Sequence, residues 1–478
     1  MENSKYKKNL IVICFCWLLL LVAAKLSIGL YDSNLIIKTL SIITVIIFTI
    51  VFYNLIKWKK TMFKIIILFL IMSVLFLQGQ VVLNAFNLTT DGILSNKFTN
   101  EEIINVILDC HLFFICYIFG LCIPKQTNEI INKYQSTDKL LVKIGYILLL
   151  LALPFELYVN LTRLKFTKMY GYASNYQSIS LNSISSGAKI LSYFFMPACL
   201  FIFFGSNPKS RNEKVAIGMI ILHAILEMLI GYRANAMIPL ILMIYGLSVK
   251  SQNTNNYKLS NKIKKQITKF CVLAIIVIIF IFPLIRNSRN NGGLLKNDIS
   301  EYFSIEQYKD LFKTFNDMGK SMQTIIYTKK IVPNSSPYRY GYTYLIYSTT
   351  IIPNFFWDRH PAETYGSLGK WITQIVDPEF YKFGGSLGFS CVAEFYVNFG
   401  YLGIIIFSIL LGFSLEKIEK KIDLSKKSVD YASISIVAIY LMSFSRGESG
   451  DLFRGIFWYM LIPRIMYYIF LWRRKKNV

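Results

Sequence analysis

Two kinds of residue in this sequence have chemistry to offer beyond packing. The first is arginine. Arg163, Arg233, Arg286, Arg289, Arg339, Arg359, Arg446 and Arg454 all fall, in the topology developed below, on one side of the apolar segments, while the opposite side relies mostly on lysine. A guanidinium grips phosphate oxygens two at a time through a rigid fork and keeps its proton, so arginine in preference to lysine suits a phosphate-bearing ligand. The second kind takes up a proton. Glu394 follows two glycine turns, just where the chain re-enters an apolar segment, and is the first choice for a base. His360, in WDRHPAETYG, titrates near neutral pH and is the second. His223 and Glu227 stand four apart on one helical face, a spacing that metal ligands use, but no third ligand is evident. A buried hydrogen-bonded pair is therefore expected there, with no metal and no cofactor. The eight cysteines form no CxxC pair and read as small apolar filler.

These groups must be positioned by a membrane-spanning scaffold. Of 478 residues, 54% are hydrophobic and only 17% charged, too few charges for soluble domains of that length. Apolar runs at 10–30, 35–56, 65–84, 103–123, 144–161, 190–206, 215–230, 236–249, 270–285, 400–416, 431–445 and 455–472 predict about twelve spans. The fold class is thus all-α and polytopic. The first run follows Lys5, Lys7 and Lys8 as a signal peptide would, but no small-residue cleavage site closes it, and a retained helix is expected. On the side of the N-terminus the loops hold 29 Lys plus Arg against 7 acids, and so carry +22 of the net +25. This asymmetry is topogenic, because short cytoplasmic loops retain Lys and Arg. It makes both termini cytoplasmic and removes nucleic acid as a partner.

The organisation is lopsided. Residues 1–285 supply nine spans and 400–478 the last three, with a 286–399 segment of 114 residues between them on the outer side. That segment is nearly neutral, with 12 basic and 10 acidic residues. Its 300–330 stretch has helical apolar spacing, and 342–357 is a short apolar run suited to the outer leaflet. Within the spans, Lys25, Asp109, Glu156 and Glu227 fall in the outer half of the membrane. Isolated intramembrane charges usually face one another or a wet cavity, so together they suggest a polar funnel open to the outer side.

Three stretches carry a resemblance: FGGSLGFSCVAEFYVNFGYLG at 383–403, GYRAN at 231–235 and SFSRGESGDLFRG at 443–455. With the span layout, they resemble the Wzy-type O-antigen and polysaccharide repeat-unit polymerases, most specifically in AE-x-Y-x-NFG from Ala393 to Gly400. The resemblance implies a fold like other lipid-dependent (GT-C-like) glycosyltransferases. It implies polymerisation of undecaprenyl-diphosphate-linked oligosaccharide repeats on the periplasmic face of the bacterial inner membrane, with membrane lipid around it and a possible chain-length regulator protein as partner. Diphosphate is already a competent leaving group, so the site needs charge-stabilising donors more than a strong acid.

In that setting Arg233, Arg286, Arg289, Arg446 and Arg454 are expected to bind the diphosphate. Glu394 or His360 would take the acceptor proton, and Tyr396, Asn398 and Arg339 would line the sugar site. Glu394 and Asn398 share a helical face if the helix has already begun there. No phosphate-binding GxxxxGK[ST] loop, dinucleotide fingerprint or acid-x-acid pair is present, which argues against an ATP-driven pump or a nucleotide-sugar enzyme. The competing readings are a lipid-linked oligosaccharide flippase or transporter, and an O-antigen ligase.

Overall fold

The computed structural model describes residues 2–88, 94, 97–124, 137–176, 184–253, 257–278, 283, 285, 307–352, 357, 358 and 360–476. Among them every regular element is helical. In chain order come α1 (Glu2–Leu26), α2 (Ser33–Lys59), α3 (Ile65–Ala85), α4 (Asn100–Cys122), α5 (Lys139–Tyr170), α6 (Ser186–Ser192), α7 (Phe195–Gly205), α8 (Arg211–Ile230), α9 (Arg233–Gln252) and α10 (Tyr257–Ile276). The long connecting segment contributes α11 (Gln307–Met318), α12 (Gln323–Ile331), α13 (Tyr342–Ser348) and α14 (Leu368–Val376). The chain then closes with α15 (Cys391–Ser425), α16 (Ser428–Phe444), α17 (Ser449–Arg454) and α18 (Ile462–Lys476).

Nine helical stretches among the described residues are long and apolar enough to cross a membrane. The remaining three expected spans differ for separate reasons. The run at 215–230 is α8, but Arg211, Glu213, Lys214 and Glu227 dilute its apolar character. The run at 431–445 is α16, apolar but only 17 residues long. The run at 270–285 continues α10 and lies only partly within the described residues.

Side chains at the ends nearest the N-terminus pin the helices together. Lys59 pairs with the fully buried Glu416, Lys64 with Asp423 at 2.5 Å, and Lys250 with Glu213 at 2.6 Å, while Glu419 accepts from the Ile65 backbone N–H at 2.7 Å and so closes the start of α3. The lysines that count toward topology thus also hold this face. In the middle of the bundle α4 and α15 cross backbone to backbone. A Cβ added at Gly120 would lie 2.2 Å from the Ile409 carbonyl oxygen, and one at Gly412 2.1 Å from that of Tyr117. Side chains are absent at the crossing because the two main chains occupy the space.

On the far face a cap of short helices covers the bundle. The amphipathic stretch is realised as α11, a short 3₁₀ turn at Gly319–Met322 and α12. Lys329 of α12 reaches down to Asp109 of α4 at 2.6 Å, and Lys330 reaches Glu102 at 2.7 Å. Burial disfavours the Lys329 charge, but Asp109 and the Tyr401 hydroxyl outweigh it and hold the ammonium above its usual range. The last loop residues also fold differently from a simple linker. Helix α15 starts at Cys391, runs through the AE-x-Y-x-NFG motif and breaks at Phe399 (φ −141°, ψ 17°) and Gly400 (φ 62°, ψ −145°) before continuing into the membrane.

Candidate functional site

The four intramembrane charges do not form one funnel. Lys25 is exposed and donates to Asn105, and Asp109 is taken by Lys329, whereas Glu156 and Glu227 meet at one place. That place is a cavity of about 260 Å³ toward the far face. Its walls come from the outer parts of α5, α8 and α16, the first turns of α9, and α17 with the π-helical turn Gly455–Leu461 that follows it.

Local sequence explains much of this geometry. Gly231 closes α8 in the left-handed region (φ 102°), reversing the chain so that Tyr232 and Asn235 face back toward Glu227. Pro239 in α9 has no N–H to give to the Asn235 carbonyl, which loosens the helix where it borders the cavity. Gly455 lies against Tyr440, and an added Cβ would stand 2.3 Å from its ring. The π turn carries Tyr459 into a stack on Tyr440 at 6.0 Å between centroids, and Tyr193 meets Tyr459 edge-on at 5.6 Å.

Two arginines face this volume from distant parts of the chain. The Arg163 guanidinium stands 5.6 Å from the Tyr232 ring, and that of Arg454 is 5.9 Å from the Tyr193 ring. Arg454 also donates to Asp451 at 2.9 Å, and Asp451 is the more exposed of the pair, with 70% of its side chain accessible. Deeper in, His223 Nδ1 lies 2.7 Å from Glu156 Oε1, Asn160 donates to that same oxygen at 2.6 Å, and Asn235 donates to Glu227 at 3.1 Å. Glu156, His223 and Glu227 bring potential ligand atoms within 4.8 Å of one another. The third partner that the sequence spacing did not reveal is therefore Glu156, on α5. The cavity combines guanidinium forks for an anion, flat tyrosine faces for a sugar ring and carboxylates for a hydroxyl.

Of the residues singled out from sequence, Arg163, Glu156, His223 and Glu227 line this cavity, and so does Arg454, one of the five arginines expected to bind the diphosphate. Arg233 opens α9 nearby but lines a different, almost wholly apolar cavity of about 480 Å³ with Met72, Leu83, Met237 and Phe315. Arg446 is exposed, 5.8 Å from the Phe76 ring. Arg286 and Arg289 lie outside the described residues, as does Arg359.

Glu394 is fully buried, and its two oxygens accept from the Ser449 backbone N–H at 2.8 Å and the Ser449 hydroxyl at 2.6 Å. It thereby caps α17 from another helix and sets the place of Asp451 and Arg454. Asn398, also fully buried and on the same face, accepts from the Gly341 N–H at 3.0 Å and donates to the Thr343 hydroxyl at 2.7 Å and the Glu394 carbonyl at 2.8 Å. Tyr396 is buried against Tyr338 and Tyr401.

His360 caps the short helix Pro361–Tyr365: Nδ1 accepts from Ala362 N–H at 3.1 Å, and Nε2 donates toward the Thr349 and Ile352 carbonyls at 3.2 and 3.3 Å. Both ring nitrogens are thus occupied by backbone. Arg339 stacks on Trp371 at 4.5 Å, beside Glu448, which accepts from the Tyr347 hydroxyl at 2.5 Å and the Leu368 N–H at 2.6 Å. Burial pushes the Glu448 carboxyl above the usual carboxylate range.

A polytopic membrane protein, all-helical among the described residues, with an arginine-bearing cavity open toward one face is the class that fold and site define. The sequence model of the O-antigen polysaccharide polymerase Wzy family matches residues 10–477, nearly the whole chain, and the chain belongs to that family of polymerases. No curated protein and no solved structure matches it.

Proposed function

We propose that this chain polymerises undecaprenyl-diphosphate-linked oligosaccharide repeat units into O-antigen or a related surface polysaccharide, at the periplasmic face of the bacterial inner membrane. In this reading the chain crosses twelve times in a GT-C-like arrangement, both termini and the lysine-rich face are cytoplasmic, and the cavity opens outward. The observation that carries it is the meeting of Arg163 and Arg454 over a tyrosine-lined cavity near the outer ends of the helices, in a chain of the Wzy family.

The reaction joins an acceptor hydroxyl on one lipid-linked repeat to the anomeric carbon of the donor sugar. The new C–O bond forms as the bond from that carbon to the diphosphate breaks. Arg163 and Arg454 hold the departing diphosphate, whose negative charge grows in the transition state. Asp451, at the exposed end, takes the hydroxyl proton, in place of Glu394 or His360. The rings of Tyr193, Tyr232 and Tyr440 carry the sugars, in place of Tyr396, Asn398 and Arg339. A chain-length regulator would meet the exposed cap on the same face.

The test is a proteoliposome assay with repeats already placed on the outer side. Polymer ladders formed from those repeats support the reading. Movement of repeats across the bilayer without ladders would make the chain a transporter, and transfer to a lipid A core acceptor would make it a ligase.

A further inference from the structure

The charges that line the cavity do not by themselves suit a diphosphate. Glu156, Glu227 and Asp451 offer three carboxylates against the guanidiniums of Arg163 and Arg454 and the His223 imidazole that pairs with Glu156, so even with His223 protonated and all three carboxylates charged the walls carry no net positive charge. A diphosphate diester is a dianion, and bringing it into a low-dielectric cavity without net positive charge leaves the cost of its lost hydration uncompensated. One more source of positive charge is needed, and a cluster is present that can hold it.

We infer that Glu156, His223 and Glu227 bind a divalent cation of the Mn²⁺ or Zn²⁺ kind, which takes the place of the His223 proton, leaves the cavity with net positive charge and offers its remaining coordination positions to phosphate oxygens. One imidazole and two carboxylates form a ligand set that both metals accept, and three protein ligands leave open positions for a substrate. The geometry is close to what an ion needs. Bonds of about 2.1 Å place ligand atoms roughly 3 to 3.4 Å apart, so a cluster within 4.8 Å closes onto an ion by side-chain rotation.

The outer supports are in place as well. Asn160 holds Glu156 and Asn235 holds Glu227, the kind of amide contacts that orient metal-bound carboxylates. All three ligands come from α5 and α8, and each is almost entirely shielded from solvent: Glu156 is 7% and Glu227 3% exposed. The cluster and both arginines line the same cavity, so an ion held there and the guanidiniums can act on one diphosphate. The inference rests on the reading that a lipid diphosphate enters this cavity, and its test separates the two.

Full-length protein in detergent, stripped with chelator, is titrated with Mn²⁺ while free Mn²⁺ is followed by electron paramagnetic resonance. One Mn²⁺ should bind per chain and be displaced by Zn²⁺. Glu227→Gln and His223→Gln should each weaken binding at least tenfold, whereas Glu227→Asp, which keeps a carboxylate, should stay within a few fold and so guard against a folding defect in the Gln variant. Absence of Mn²⁺ binding by the wild-type chain, or binding by Glu227→Gln and His223→Gln equal to wild type, overturns the inference and leaves a hydrogen-bonded cluster.

Polymerisation by Arg454→Lys is measured beside it. Lost polymer with no Mn²⁺ binding in the wild type keeps the polymerase site and removes the ion. Retained Mn²⁺ binding with a full ladder from Arg454→Lys keeps the ion and removes the arginine from the chemistry.

Discussion

The far face of the molecule contains two polar regions of opposite design. In one, centred on the AE-x-Y-x-NFG motif, both oxygens of Glu394 are taken by Ser449, Asn398 is bonded to Gly341 and Thr343, and both nitrogens of His360 are engaged by backbone. In the other, Arg163, Arg454, Glu156, His223 and Glu227 converge on a cavity. The first region's polar groups hold helix ends in place, whereas the second's, though bonded to one another, line an open volume. A motif that stands out in sequence can therefore be scaffold, because buried polar groups that must find partners constrain residue identity as strictly as chemistry does.

The comparison breaks first at Arg454. If the cavity is the reacting region, Arg454→Lys should slow polymerisation in proteoliposomes by roughly 30- to 1,000-fold, about 2–4 kcal/mol of transition-state stabilisation, with an unchanged elution profile and melting point. An equal loss of activity and thermal stability would make it one more structural pair.

Glu394→Gln tests the other region. It keeps the shape but puts an amide NH2 where one of the two oxygens accepts from Ser449, and should lower stability by about 1–3 kcal/mol, read as a fall in melting temperature. Polymerisation should drop less than in Arg454→Lys, because α17 is loosened and not removed. Complete loss of ladders at wild-type stability would return Glu394 to the chemistry as a base.

Gly455→Ala sharpens the boundary between the two. The new methyl meets the Tyr440 ring, so the Tyr440–Tyr459 stack has to shift at an overpacking cost of about 1–3 kcal/mol. Activity should fall roughly tenfold in step with that strain, and a reduced affinity for the repeat unit in a binding assay checks it.

His360→Ala should be the mildest. It removes one helix cap, worth about 1 kcal/mol, and should leave the ladder at full length on gels. A pH dependence of stability belongs to Glu448, which accepts from the Tyr347 hydroxyl and the Leu368 N–H. Glu448 is raised above its unfolded value by burial, so the folded state favours its protonated form. Stability should fall as pH rises from the ordinary carboxylate range to the raised value, and Glu448→Gln should flatten that part of a melting-temperature profile.

Much of this was legible in the residues. The apolar runs mark helices α1 to α5 closely, the spacing in 300–330 anticipates α11 and α12, and His111, beside Asp109, is buried between Trp17 and Thr44 as a core histidine would be. Glu156, His223 and Glu227 were visible as charges out of place in apolar segments, and Arg454 as an arginine at a span end. What no pattern announced was that Asp451, Tyr193, Tyr440 and Tyr459 share a cavity with them, since a tyrosine at a helix end looks the same whether it faces lipid or a ligand. Nor did any pattern announce that Glu394 bonds Ser449, which a distant turn supplies.

Local signals along the chain establish that it lies in a membrane, which loops are rich in lysine, and which family it joins. These depend on local quantities: the length of an apolar run, the charge of a short loop and a string of adjacent residues. That Arg163 of α5 shares a cavity with Arg454 of α17, that Glu156 completes the pair on α8, and that Glu394 holds a helix end are visible in the three-dimensional arrangement alone. Those outcomes depend on which faces of separate helices come together. That choice is made by packing: backbones touching where Gly120 and Gly412 leave room, a kink at Gly400, and a widened turn after Gly455.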